Sequence, residues 1–122
     1  MPGYLISPPT YTDLKIEHDQ FLAALKLQYP DAIVTVKTGT RATRYYADFS
    51  MQTTCGLVMG SISQAGQTVV VDGELSDCAT VAVWVRSLVH LDYSLIFYED
   101  NLTSQIELTT ATTVEEVVAA FL

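Results

Sequence analysis

The stretch RYYADFSMQTTCGLVMGSISQAGQTVVVD, residues 44–72, decides the fold of this chain. It begins with the alternation of a strand that buries one face. One predicted face carries Tyr45, Ala47, Phe49 and Met51, and the other carries Arg44, Tyr46, Asp48 and Ser50. Two further strands are predicted at Cys55 to Ser63 and at Thr68 to Asp72, with a hairpin signal at Gln64 to Gln67 between them. Strands joined by such short turns pair antiparallel, so an antiparallel sheet is predicted.

The segments on either side of this stretch predict the remaining elements. These are a helix over 13–28, a strand over 32–37, a helix from Ser76 or Asp77 to Leu91, strands over 94–98 and 104–109, and a final helix. The final helix is the best marked, because Thr112 and Thr113 precede Glu115 and Glu116 at the spacing of a capping box.

The chain is predicted to consist of two segments. Residues 1–11 contain three of the four prolines and predict an extended N-terminal arm. Residues 12–122 predict a single α+β domain with the element order α-β-β-β-β-α-β-β-α. We expect a two-layer sandwich, in which a mostly antiparallel sheet carries the helices on one face.

The charge balance predicts the class of partner. Fourteen acidic residues face six basic ones, which gives a formal net charge of −8. Such a field repels phosphate backbones and anionic lipid and attracts basic surfaces, so we expect a basic protein partner, no nucleic acid and no membrane. Hydrophobic residues make up 49% of the chain and charged residues only 16%. We expect the extra apolar residues either in the core or in an interface, such as that of a homodimer.

The cysteines and the N-terminus predict the compartment. Cys55 and Cys78 lie in different predicted elements, without the spacing of a metal site. We interpret both as buried thiols in a reducing compartment. No basic segment followed by an apolar stretch opens the chain, and no run reaches the ~20 apolar residues of a membrane-spanning helix. The expected location is the cytoplasm.

The sequence contains no convincing catalytic constellation. The two histidines, His18 and His90, fall on separate predicted helices, the first in a solvated turn and the second near a helix C-terminus. Neither cysteine lies in a recognisable nucleophile turn, and no glycine-rich phosphate loop is present. We therefore predict no catalytic, cofactor-binding or metal-binding residues, and a protein that is not an enzyme.

Two groups of residues are candidates for partner binding. The first is Arg44, Tyr46 and Asp48 on one predicted strand face, where an aromatic residue stands between charges of both signs. The second is the acidic group Asp72, Glu74 and Asp77, for which capping of the central helix is the competing explanation. Pro8-Pro9-Thr10-Tyr11 also fits the proline-proline-any-tyrosine pattern that WW domains bind.

Two resemblances follow from these features. In size, charge and lack of a catalytic motif, the chain is similar to bacterial toxin-immunity proteins, which implies an inhibitor that occludes a basic cleft. In element order and acidity, it also looks like the small type III secretion chaperones, which implies a homodimer that holds an extended cargo segment. The strand at Thr68 to Asp72 is one more than that family has before its central helix.

Overall fold

The computed structural model describes residues 3–10, 12, 14–37, 44–53, 56–99 and 104–122. Within them, seven strands and three helices follow one another along the chain. They are β1 (Gly3–Ser7), α1 (His18–Gln28), β2 (Ile33–Val36), β3 (Tyr45–Gln52), β4 (Leu57–Ser63), β5 (Val69–Asp72), α2 (Leu75–Leu88), β6 (Leu95–Glu99), β7 (Gln105–Leu108) and α3 (Val114–Ala120).

The seven strands form one sheet in the order β2-β3-β4-β5-β1-β6-β7. Every neighbouring pair in it is antiparallel. The predicted α+β fold with an antiparallel sheet is therefore confirmed.

The N-terminal segment is the main correction to the predicted elements. An extended arm was the expectation for residues 1–11, but Gly3–Ser7 forms the strand β1 and pairs with β5 on one side and β6 on the other. The element order therefore begins with a strand that the prediction lacked. The prolines mark the flanks of this strand, and its own sequence, GYLIS, contains none to interrupt the ladder.

A bulge in β3 makes the predicted alternation wrong at its start. The register of β3 against β4 shifts between Tyr45 and Ala47. From Ala47 onward the prediction is confirmed, since Ala47, Phe49 and Met51 are buried. Before the shift, Tyr45 and Tyr46 each point to the side opposite to the one predicted. Tyr45 lies beneath the Lys37 ammonium group, while the Tyr46 ring stacks on His18 of α1.

The buried sheet face, called here the Phe49 face, packs against aromatic side chains of the helices. The Phe21 ring of α1 contacts both Phe49 and Trp84, with centroids 5.8 and 5.7 Å away. Further along the same face, Phe121, which follows α3, packs edge-on against Tyr4 of β1. Gly60 lies opposite Phe49, and a Cβ added there would collide with the Phe49 ring and the Val70 carbonyl. Gly60 thus leaves room for a bulky side chain on the neighbouring strand.

The helix termini partly follow the predictions. The capping box of α3 is confirmed, because Thr113 and Glu116 exchange side-chain to backbone hydrogen bonds in both directions. Helix α1 begins at His18, later than predicted, after the N-cap residue Glu17. Helix α2 covers Leu75–Leu88, so His90 lies beyond its end.

Candidate functional site

Three predicted acidic residues come together where β5 leads into α2. Asp72 ends the strand, Glu74 is the helix N-cap and Asp77 lies in the first helical turn. Gly73 makes the sharp change of direction at φ +154°, and a Cβ there would lie 3.1 Å from the Leu57 carbonyl oxygen. The positive end of the α2 dipole favours carboxylates at this position.

The charges of these three carboxylates act on the Cys78 thiol. Burial, together with the nearby charges of Asp72, Asp77 and Glu74, raises the pKa of Cys78 to about 12. Cys78 is fully buried and free, as predicted for it, while Cys55 lies outside the described residues.

Glu99 also lies near this group, and no local pattern in the sequence predicts that it does. It lies opposite Tyr4 in the ladder between β1 and β6. Burial, followed by the charges of Cys78, Glu99 and Glu74, raises the pKa of Tyr4. We call Asp72, Glu74, Asp77 and Glu99 the acidic end. Glu99 lies there because its strand, β6, pairs with β1, and β1 in turn pairs with β5.

Asp77 is the unusual member of the acidic end. Its side chain is only 6% exposed, and its buried Oδ2 atom has no hydrogen-bond partner within the described residues. A buried polar atom left unpaired costs about 1–3 kcal/mol, so such atoms are rare in stable folds. Burial and the Asp77 charge also raise the pKa of Tyr29, which follows α1. The helix dipole offsets part of the burial penalty.

Exposed apolar side chains lie beside the acidic end on the sheet face opposite Phe49. One ladder row joins Ile33, Ser50, Met59 and Asp72. Ile33 is 66% exposed, Met59 54% and Leu57, two residues along β4 on the same face, 50%. We call these three residues the sheet patch. Met59 and Asp72 are direct cross-strand neighbours, whose Cβ atoms are typically ~5 Å apart, so the patch adjoins Asp72 of the acidic end.

Comparison of this chain with protein-family models, curated proteins and solved structures found no match.

The other predicted group is not brought together as one surface. Asp48 accepts a hydrogen bond from Ser61 at 2.6 Å and forms an ion pair with Lys37 at 3.3 Å. Tyr46 is turned by the bulge toward α1, where its hydroxyl donates to Asp19. Arg44 is exposed in the turn before β3. The strand face expected to display all three residues is therefore broken at the bulge.

The histidines and the proline motif occupy separate places. His18 is not simply solvated as predicted, because its Nε2 atom donates to the Ser63 carbonyl at 3.0 Å. His90 is exposed and lies 3.4 Å from an Asp92 carboxylate oxygen. In the proline motif Pro9 and Thr10 are exposed, and Tyr11 lies outside the described residues.

A cavity of about 260 Å³ lies between the start of α1 and the end of α2. Its walls include Phe21, Leu14 and Val89, with Glu17 and His90 among the polar groups. Across the described part of the chain, no cluster of three or more metal-ligating side chains occurs, and none of the helices could span a bilayer.

Proposed function

We propose that this protein is a non-enzymatic, protein-binding domain whose acidic end covers a basic surface of a partner protein. The inhibitor or immunity type is the favoured form, acting in the cytoplasm by occluding the partner. The observation that carries the proposal is the buried Asp77 Oδ2 atom, which lacks a hydrogen-bond partner among the described residues. A cation of the partner, bound at the accessible Asp72 and Glu74 carboxylates, would stabilise the buried Asp77 charge through space.

The charges of the acidic end support recognition by electrostatics. Asp72 and Glu74 are accessible, and the buried Asp77 lies behind them. Carboxylates at a low-dielectric surface attract cations more strongly than carboxylates in open solvent, and the net charge of −8 adds a long-range field. We expect this field to raise the association rate, and the close pairs to slow dissociation.

The sheet patch supports an interface that is more than electrostatic. Partner interfaces combine an apolar centre with a polar rim, and Ile33, Leu57 and Met59 supply apolar surface next to Asp72. The expected partner therefore has a cationic cluster beside at least one apolar or aromatic anchor. The same negative field disfavours binding to nucleic acid and to anionic membranes.

The test compares two variants with the same net charge. In the first, Asp72→Asn, Glu74→Gln and Asp77→Asn neutralise the acidic end. In the control, Asp92→Asn, Glu107→Gln and Glu115→Gln neutralise three exposed carboxylates elsewhere. Proteins retained from a lysate of the source cells are identified and purified, and their affinities for both variants are measured.

The proposal predicts a basic partner whose affinity falls at least tenfold for the first variant and less than about threefold for the control. Equal losses in the two variants would mean that only the net charge matters, and the proposed site would be wrong. An acidic partner that binds the first variant normally would also refute it.

A homodimeric, chaperone-like adaptor for extended protein segments is the second candidate. The exposed Ile33 and Met59 side chains favour it, because an extended cargo segment could lie across them. A cargo peptide whose affinity drops for Met59→Ser but not for the neutralised acidic end would favour this function over the first.

A further inference from the structure

β2 is an edge strand with exposed apolar side chains. Among the described strands it stands at one end of the order, next to β3 only. Ile33 is 66% exposed and Val36 48%, and Thr35 between them is exposed as well. The strand, IVTV, contains no proline and no charged residue. Edge strands of soluble proteins usually carry such residues to prevent pairing with another chain.

The backbone of this edge has hydrogen-bonding groups that point away from the sheet. The Lys37 amide donates to the Tyr46 carbonyl at 2.9 Å, so Lys37 faces β3. In an antiparallel ladder alternate residues face opposite neighbours, and therefore the N–H and C=O groups of Val34 and Val36 point to the free edge.

We propose that β2 pairs antiparallel with β2 of a second copy of this chain, about a two-fold axis at Val34. This register places Val34 opposite Val34 of the second copy and Ile33 opposite Thr35. It also places Asp31, just before the strand, opposite Lys37, just after it. Each dimer thus contains two pairs of opposite charge, and the edge is self-complementary.

The distribution of charge supports the antiparallel arrangement. Ile33 shares a ladder row with Asp72, so the start of β2 lies toward the acidic end. The end of β2 lies beside Tyr46 at the opposite end of the sheet, where Lys37 and Arg44 are found. Antiparallel pairing therefore places the start of β2 in one copy, with Asp31, beside the end of β2 in the other, with Lys37.

The Lys37 ammonium group can pair with Asp48 of its own chain and with Asp31 of the second copy. Its ammonium group already lies 3.3 Å from Asp48, on a strand next to β2, and 28% of its side chain remains exposed. Asp31 of the second copy would approach from the free edge. Repulsion between two copies of charge −8 is screened beyond about 8 Å at physiological ionic strength, which leaves the local pairs dominant.

This inference does not rest on the proposed function. It uses the free edge and none of the carboxylates in the acidic end. In an antiparallel pair, side chains directly opposite one another share a sheet face, so the two sheet patches would lie on one continuous face. A partner could then bind either copy.

The experiment measures oligomeric state by light scattering and sedimentation at physiological salt, over a range of concentrations. We expect the wild-type chain to dimerise. Asp31→Lys should raise the dimer dissociation constant about tenfold, because both symmetric pairs become repulsive, and Lys37→Glu should do the same. Glu107→Lys changes the charge of an exposed residue on the other edge strand, β7, and should leave the dimer intact.

Mixing the two weakened variants makes the test independent of folding defects. A chain with Asp31→Lys and a chain with Lys37→Glu have complementary edges, so the mixture should form a heterodimer although neither variant dimerises well. A wild-type chain that stays monomeric at high concentration would overturn the proposal. A dimer that neither variant weakens would overturn it as well.

Cysteine crosslinking tests the register. Ile33→Cys in one chain and Thr35→Cys in another place the two residues in a non-hydrogen-bonded pair, with Cα atoms about 4.5 Å apart, within disulfide range. Mild oxidation of the mixture should give a covalent heterodimer. A heterodimer no more abundant than the homodimer of either variant alone would contradict this register.

Discussion

The ring of His18 stacks on the ring of Tyr46, with their centroids 4.0 Å apart and their planes inclined by 13°. The contact joins the first turn of α1 to the bulge of β3. Two hydrogen bonds reinforce it, from His18 to the Ser63 carbonyl and from the Tyr46 hydroxyl to Asp19. The bulge that breaks the predicted strand face therefore provides an attachment for the helix.

Replacing Tyr46 tests this attachment. Tyr46→Ala removes the stacked ring and part of its buried surface, and we expect the free energy of unfolding to fall by about 2 kcal/mol. Tyr46→Phe keeps the ring and loses a long hydrogen bond at an exposed site, so its effect should be much smaller than that of Tyr46→Ala. Urea denaturation of both variants measures the difference. Equal destabilisation would contradict the stacking argument.

The close approach of Gly60 to Phe49 leads to a second prediction. Gly60→Ala should lower the free energy of unfolding by about 2–3 kcal/mol, because the new methyl group collides with the Phe49 ring and the Val70 carbonyl. In a Phe49→Leu background the same change should be less costly, since part of the obstacle is gone. The double-mutant cycle, measured by denaturation, should show coupling between the two positions. Strict additivity would disprove the contact.

Arg86 is a buried cation whose partners are backbone carbonyls. It is 5% exposed, and its Nε and Nη1 atoms donate to the carbonyls of Leu108 and Val89 at 3.0 and 2.9 Å. Arg86→Ala should destabilise the protein by about 3 kcal/mol, because it empties packed space and leaves these carbonyls unpaired. Arg86→Lys should recover less than half of the loss, since an ammonium group cannot reproduce the planar fork. Full recovery with lysine would contradict this account.

The raised pKa of Cys78 predicts that the folded protein loses stability at alkaline pH. Its pKa is raised from 9.0 to about 12 in the folded protein, so between these values the folded state keeps a proton that the unfolded state has released. Stability from this group is complete below pH 9 and falls as the pH rises toward 12. Denaturation of wild type and Cys78→Ala at about pH 8 and about pH 10 should show a smaller loss in the variant. The same loss in both proteins would exclude this cause.

The sequence predicted those elements whose signals are local. The capping box of α3 and the alternation of Ala47, Phe49 and Met51 are properties of neighbouring residues, and both predictions are confirmed. β1 was missed because its identity depends on β5 and β6, which are far away in the chain. A short apolar segment between prolines gives no sign of such pairing.

The acidic end was predicted only in part for a similar reason. Asp72, Glu74 and Asp77 are close in sequence and were singled out together. Glu99 joins them only through β1, and the burial of Asp77 depends on packing around α2. At Tyr46 the alternation failed because a single extra residue in β3 reverses the side to which a side chain points.

The proposal that the acidic end binds a basic protein can be tested by kinetics. Its most direct test is the association rate constant of the purified partner, measured for wild type and for the Asp72→Asn, Glu74→Gln, Asp77→Asn variant at low and at physiological salt. We expect a wild-type rate constant that falls about tenfold or more with added salt, and a much flatter dependence for the variant. A rate constant that does not respond to salt, or that responds equally in both proteins, would contradict it.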